Sequence, residues 1–248
     1  MSHIVRAVTE AAPRSPRHLR PAAPLAERVL LPGDPHRALQ VAQHLLERPR
    51  MFNHHRGLWG YTGIAADGRP LSVQATGMGG PSAAIVVEEL IGLGAGTLVR
   101  IGTCGALDPR LALGDLIVAR EALPADGASV ALGAGERVRG DAALSTALAD
   151  SIGAPSGAVV TSDLFYDARP GIAARWRERG ALAVEMETSV VFRLAALRGA
   201  RAAGVLAVSD LLEASDPEAP VRHRASIEPE ALEAAGLRLG EVAAAVLA

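Results

Sequence analysis

Apolar residues change period several times along the chain, and each change marks an element. Val29-Leu30-Leu31 is a short apolar run that ends in Pro32-Gly33-Asp34-Pro35, after which Ala38, Leu39, Val41, Ala42, Leu45 and Leu46 recur at helical spacing. This predicts a buried strand, a turn held by two prolines, and a helix from His36 to Leu46. Trp59 to Ala66 and Leu71 to Ala75 carry strand-like residues around Asp67-Gly68 and predict a hairpin. The second strand enters Thr76-Gly77-Met78-Gly79-Gly80-Pro81-Ser82, and Ala84, Ile85, Val86, Leu90 and Leu93 then read as a helix opened by Pro81. Thr97 to Ile101 predicts a central strand, broken by Gly102-Thr103-Cys104-Gly105.

Asp115 to Ala119, Ala158 to Thr161, Ala181 to Val184 and Val205 to Val208 read as further strands. Ala142 to Ile152, a stretch from Val190 to Leu197 closed by Gly199, and Glu228 to Leu247 read as helices. Strands that alternate with helices, each ending in a small polar or acidic cluster, predict a three-layer α/β fold with its site along one sheet edge.

Composition bounds the function. With 248 residues, about half of them hydrophobic, the chain can bury one large core as a single domain spanning 1–248. A net charge of −2 and an isoelectric point near 6.4 leave no electrostatic footprint for nucleic acid or an anionic membrane, so a small-molecule partner is expected. One cysteine, Cys104, excludes an intramolecular disulfide and suits the cytoplasm. All 25 basic residues are arginine, which removes Schiff-base lysine chemistry and a Walker-type loop. No apolar run is long enough to span a membrane. Residues 9–27 hold four prolines and several arginines and read as an extended, mobile segment.

The candidate chemistry clusters at element ends. The turn at Gly33 with Arg37 has the build of an anion site, in which helix N-terminal N–H groups and a guanidinium face a phosphate; the plainer alternative is a solvated arginine beside a turn. Arg100 interrupts an apolar strand and needs an anionic partner, either a protein carboxylate or a ligand. Phe165 and Tyr166 pack a core or offer a stacking face. Glu185 and Glu187, at a strand-to-helix junction, suit sugar hydroxyls or simply a helix N-terminus. Gly92-Leu93-Gly94-Ala95-Gly96 follows a helix rather than a strand, so it is not a dinucleotide fingerprint. His54 and His55 lack companion ligands, no metal is expected, and Cys104 reads as a small apolar residue.

Five segments occur in the order seen in one family: Leu31-Pro32-Gly33-Asp34-Pro35-His36-Arg37, Gly77-Met78-Gly79-Gly80-Pro81-Ser82, Arg100-Ile101-Gly102-Thr103-Cys104-Gly105-Ala106, Val184-Glu185-Met186-Glu187 and Val208-Ser209-Asp210. From about Val29 to Asp210 the chain resembles the hexameric bacterial nucleoside phosphorylases, and purine nucleoside phosphorylases most closely. The resemblance implies a phosphorylase/hydrolase-like α/β/α sandwich with a central mixed twisted sheet. It implies that inorganic phosphate, as co-substrate and with no other cofactor, cleaves purine (deoxy)ribonucleosides to free base and (deoxy)ribose 1-phosphate in purine salvage. Gly33, Arg37, Arg100 and Thr103 would hold phosphate, with Arg56 of the Asn53-His54-His55-Arg56-Gly57 stretch reaching a neighbouring subunit's phosphate. The partner would thus be a second copy, in a homohexamer built as a trimer of dimers.

The resemblance further places Met78, Phe165, Val184, Glu185, Met186 and Glu187 around the nucleoside. Asp210 would be the general acid toward the purine N7, supported by Arg222 or Arg224. His3 would reach a neighbour's ribose or lie in a disordered tail. Uridine phosphorylase is the nearest alternative, but Asp167-Ala168-Arg169-Pro170 lacks that enzyme's glutamine. Nucleosidases typically lack the Pro-Gly-Asp-Pro turn, and a non-catalytic nucleoside binder has no need of Asp210. The choice between 6-oxo and 6-amino purines stays open.

Overall fold

The computed structural model describes residues 16–213 and 222–248. Strand β1 (Arg28–Leu31) is buried throughout and runs parallel between β4 (Pro70–Gln74) and β5 (Thr97–Ala106). The predicted hairpin is present, β3 (Gly60–Ile64) pairing antiparallel with β4. Outside it lies a strand the sequence does not announce, β2 (Glu47–Asn53). Its first five residues are exposed and include Pro49 and several charges, so it reads as a loop. The same chemistry guards a sheet edge against unwanted pairing.

Two strands outrun their predicted limits. β5 does not break at Gly102, and β10 (Arg201–Glu213) accompanies it in parallel from Arg201 opposite Thr97 to Leu211 opposite Ala106. The ladder bonds between them overcome glycine's weak strand preference. β10 also pairs antiparallel with β6 (Leu116–Ala125), β6 runs parallel to β8 (Ser156–Ser162) and β8 to β9 (Ala181–Glu185), and β9 returns antiparallel to β5. Five strands therefore close into a small barrel, while β1, β4, β3 and β2 extend from it as an open wing. Two short strands complete the mixed sheet, β7 (Val138–Arg139) on β6 and β11 (Arg222–Ser226) on β10.

Helices cover both faces, as predicted. Helices α1 (Pro35–Leu45), α4 (Ala142–Ile152) and α7 (Pro229–Val246) bury Leu30, Val99, Ile101 and Val205 on one side. Helices α2 (Gly80–Gly92) and α6 (Thr188–Arg198) bury Leu31, Leu98, Val190 and Phe192 on the other. Neighbours such as Leu30 and Leu31 fall in opposite cores because side chains alternate across a strand. Two shorter helices, α3 (Gly127–Ala131) and α5 (Ile172–Glu178), flank the barrel.

The expectation of a mobile Pro/Arg-rich segment is corrected for residues 16–27; residues 9–15 lie outside the described ones. Leu19 is fully buried, and Glu89 on α2 accepts the N–H groups of Arg17, His18 and Leu19 and the His18 ring at 2.9 Å. Burial works against the Glu89 charge, but these bonds outweigh it and hold the carboxyl below its usual range. Asn53 Oδ1 accepts the Arg20 N–H at 2.8 Å, and His55 Nδ1 donates to the His18 carbonyl at 2.9 Å. Prolines deny this stretch a helix, and its extended backbone is held by these side-chain acceptors instead. No described helix is long and apolar enough to cross a membrane.

Candidate active site

The ends of β1, β4, β5, β8, β9 and β10 meet around a cavity of about 460 Å³. Gly33 and Arg37 line it, but the predicted use of the α1 N-terminus is corrected. The Asp34 carboxylate caps that helix, accepting the N–H groups of His36 and Arg37 at 3.0 and 3.2 Å, so those donors are occupied. An anion here cannot use those two N–H groups and relies on other donors, the guanidinium groups among them. Arg37 lies against Gly236 of α7, where a Cβ would come within 3.2 Å of its stem. Burial, reinforced by Arg100 and opposed by Asp34, lowers its pKa. A guanidinium stays charged across any physiological range, so this desolvated cation favours an anion beside it.

Arg100 resolves the question that its position in an apolar strand poses: its partners are protein carboxylates. Its Nε donates to Glu185 Oε2 at 2.8 Å and its Nη2 to Glu187 Oε2 at 2.5 Å, while Nη1 has no partner. Burial disfavours its charge, but Glu187 and Glu185 more than restore it. Gly102 makes this possible. Positions 100 and 102 share a strand face, and a Cβ at 102 would stand 2.6 Å from Arg100 Nη2.

The two glutamates differ in what they can still do. Glu185 is saturated: Oε1 accepts from the Thr161 hydroxyl at 2.6 Å and the Thr188 N–H at 2.9 Å, and Oε2 accepts from Arg100 and the Glu187 N–H. It lines the cavity as a brace between Arg100 and the start of α6. Glu187 has fewer bonds, with Oε1 on the Gly79 N–H and Oε2 on Arg100. Gly79 can point that N–H inward because it sits at φ +86°, which glycine tolerates. Burial raises the Glu187 pKa, with Glu185 adding and Arg100 opposing.

Thr103, Val184 and Met186 line the same cavity, and Met78, 86 % exposed, stands at its mouth. Phe165 is half exposed and takes Tyr166 edge-on on one side. The ring of His223 stacks on Phe165 with centroids 5.0 Å apart. Asp210 enters through a bulge: Val208 pairs with Cys104 and Asp210 with Gly105, leaving Ser209 as the extra residue. The bulge brings the Ser209 hydroxyl to Asp210 Oδ2 at 2.7 Å. The Ser226 hydroxyl reaches Oδ1 at 2.7 Å and His223 Nδ1 the same oxygen at 3.2 Å.

The expectation that Arg222 or Arg224 supports Asp210 therefore changes. Strand alternation turns Arg224 into a separate hollow beside Asp108 and Arg177, and the Arg222 side chain lies outside the described residues. His223, between them, makes the contact. Cys104 is buried, and burial pushes its thiol pKa up, which removes it as a nucleophile. Arg169 forms a fork with buried Asp167, at 2.9 Å through Nε and 2.5 Å through Nη2, and is spent there.

One predicted site residue, Arg56, is not brought to the cavity. Arg56 is exposed on a 3₁₀ turn (His55–Gly57) with φ +59°, and His3 lies outside the described residues. Reasoning from sequence missed Ser209, Ser226, His223 and Thr161 as supports. The separation of Asp210 from the His223–Ser226 stretch becomes informative only once the β10–β11 hairpin is seen. Among the described residues, no three His, Cys, Asp or Glu side chains gather in a metal-binding arrangement.

These features define a class: a mixed-sheet α/β protein in which one cavity joins arginine donors, carboxylate acceptors and a separately supported aspartate. The phosphorylase superfamily model matches residues 27–248, and the chain belongs to that superfamily. It is 41 % identical over 197 residues to a DeoD-type purine nucleoside phosphorylase of Caldanaerobacter subterraneus subsp. tengcongensis, covering 76 % of this chain and 84 % of the relative. The DeoD-type enzyme of Geobacillus kaustophilus is 41 % identical over 75 % of this chain and 81 % of its own. That of Roseobacter denitrificans is 37 % identical over 77 % and 85 %.

Proposed function

We propose that the chain catalyses phosphorolysis of purine nucleosides to free base and pentose 1-phosphate. The observation that carries this reading is one cavity holding Arg37, Arg100 and Thr103 together with Asp210. Strand β5 sets the scale: the Arg100 guanidinium folds back over Gly102, so it lies roughly 10 Å along the strand from Gly105, Asp210's neighbour. That interval accommodates a phosphate, a pentose and the imidazole edge of a purine.

The chemistry follows from the placement. A phosphate oxygen held by Arg37, the unpartnered Nη1 of Arg100 and the Thr103 hydroxyl attacks C1′ as the C1′–N9 bond breaks. Its electron pair leaves with the base. Asp210 supplies a proton to N7, and the phosphate gives up a proton over the turnover, so the enzyme gains and loses none. Glu187 accepts from the pentose hydroxyls, Met78 and Met186 pack the sugar, and Phe165 faces the base. Catalysis rests on positioning and on stabilising the departing base.

Charge balance supports a further subunit at the site. Arg37 and Arg100 offset Glu185 and Glu187, so a phosphate dianion needs another cation. Arg56, exposed and pointing to no site of its own protomer, would supply it to a neighbour within a homohexamer. The enzyme would then be a cytoplasmic one using inorganic phosphate and no other cofactor. Arg169 is engaged with Asp167, which removes the arginine a uracil-reading site would need and favours the purine over the uridine reading.

The test is release of base from inosine, adenosine, guanosine and uridine, with and without phosphate. Phosphate-dependent cleavage of the purine nucleosides alone is expected. Cleavage of uridine, or cleavage without phosphate, overturns the reading, and binding without turnover makes the protein a nucleoside carrier.

A further inference from the structure

We infer that His223 is the positioning residue of the general acid: its Nδ1–H stabilises the Asp210 carboxylate that forms when the proton passes to the base. The inference rests on the phosphorylase reading and assigns a role to a residue that the five ordered segments do not contain.

The geometry separates the two oxygens of Asp210. Among the described residues, Oδ1 receives two groups, the Ser226 hydroxyl at 2.7 Å and His223 Nδ1 at 3.2 Å, whereas Oδ2 faces Ser209 Oγ at 2.7 Å. Ser209 Oγ also lies 3.3 Å from the Cys104 carbonyl. It can give its own proton to that carbonyl and accept one from Oδ2. With Oδ1 already receiving donors, the acid proton belongs on Oδ2, parked on Ser209 until a base displaces it. As that proton leaves for N7, negative charge spreads over both oxygens, and the bonds at Oδ1 become charge-assisted. Such bonds are roughly twice as strong as neutral ones, so they favour the transition state over the ground state.

The imidazole is held for this task. It stacks on Phe165, the ring that faces the base, with planes 29° apart, and the antiparallel β10–β11 pairing sets His223 opposite Leu212, two residues from Asp210. Base wall and acid support are thus one unit. The stack on Phe165 restricts the ring in the orientation that presents Nδ1 to Oδ1.

A substrate that needs no proton isolates the role. In 7-methylinosine N7 is already alkylated and the base leaves as a neutral species without an acid. Phosphorolysis of inosine and of 7-methylinosine is to be measured with the wild-type chain, His223→Ala, His223→Asn and Asp210→Ala. His223→Ala should lower kcat on inosine about 10- to 100-fold more than kcat on 7-methylinosine, the excess being the worth of one hydrogen bond to a charged group. His223→Asn, whose amide N–H can donate near the Nδ1 position, should recover most of the inosine rate. Asp210→Ala should show the same substrate split, more strongly.

Equal losses on both substrates in His223→Ala would make His223 only part of the wall and overturn the inference. So would an unchanged inosine rate, or His223→Asn as slow as His223→Ala. A wild-type chain that cleaves neither nucleoside in phosphate instead refutes the phosphorylase reading itself, so the two failures are distinguishable.

Discussion

Gly102→Ala tests the architecture of the phosphate seat without touching a charged residue. The new Cβ would stand 2.6 Å from Arg100 Nη2 and 2.8 Å from Cζ. Ordinary contact between such atoms is about 3.6 Å, so the guanidinium must withdraw by about 1 Å. It cannot do so freely, because its Nε bond to Glu185 is 2.8 Å long and would stretch beyond hydrogen-bonding range. A hydrogen bond to a charged group is worth about 1.5–3 kcal/mol, which is the expected loss of stability. The same energy withheld from bound phosphate raises its KM roughly 10- to 150-fold, since each 1.4 kcal/mol is a factor of ten. Initial rates at varied phosphate and saturating inosine give that KM, and chemical denaturation gives the stability. The KM for inosine should change far less. A phosphate KM within twofold of wild type, with the chain folded, would refute the idea that Arg100 folded over Gly102 seats the anion.

Three further outcomes are expected. Arg56→Ala and Arg37→Ala should each be nearly inactive, yet co-refolded mixtures should regain activity, because some interfaces then pair an intact Arg37 with an intact Arg56; no regain would show that Arg56 does not act in trans. Asp34→Ala removes the α1 cap and should cost about 1 kcal/mol, read as a lower melting temperature. Asp67 is held down from 3.8 to about 2 by hydrogen bonding to Arg28 and to the Arg69 N–H. A depressed carboxyl stabilises the fold above its unfolded pKa and loses that contribution as pH falls through the folded value. Asp67→Asn should therefore flatten the loss of stability between about pH 4 and pH 2, and an NMR titration placing Asp67 near 4 would contradict this.

Local pattern carried much of the architecture. The α1 helix, the β3–β4 hairpin and the α4 helix were readable because periodicity, prolines and a single Asp-Gly turn agree with the tertiary outcome. What was not readable depends on pairing. Nothing between Gly102 and Gly105 favours a strand until β10 lies alongside, and the barrel closure requires β9 to return to β5, a contact between residues far apart in sequence. The site shows the same division. Arg100 drew attention because a buried charge demands a partner, and Glu185 and Glu187 because two carboxylates sit at a strand-to-helix junction, although the saturation of Glu185 needed coordinates to see. Thr161 and Ser209 are small hydroxyls in strands, indistinguishable by pattern from packing residues. Asp34 was legible as a turn former, and its occupation of the helix N-terminus was not.

The clasp that Glu89 makes on the N-terminal stretch bears on where the chain can be cut. The superfamily match starts at residue 27, and trimming the protein to that boundary looks harmless on sequence grounds. Yet residues 18, 20 and 22 hold His55, Asn53 and Phe52, which lead into the turn that carries Arg56. A chain begun at residue 27 keeps every described cavity-lining side chain and loses the scaffold behind Arg56, the arginine proposed to serve a neighbour. With Arg56 acting on a neighbour as proposed, the deficit would register as weakened use of phosphate, together with the stability lost with buried Leu19 and the bonds to Glu89.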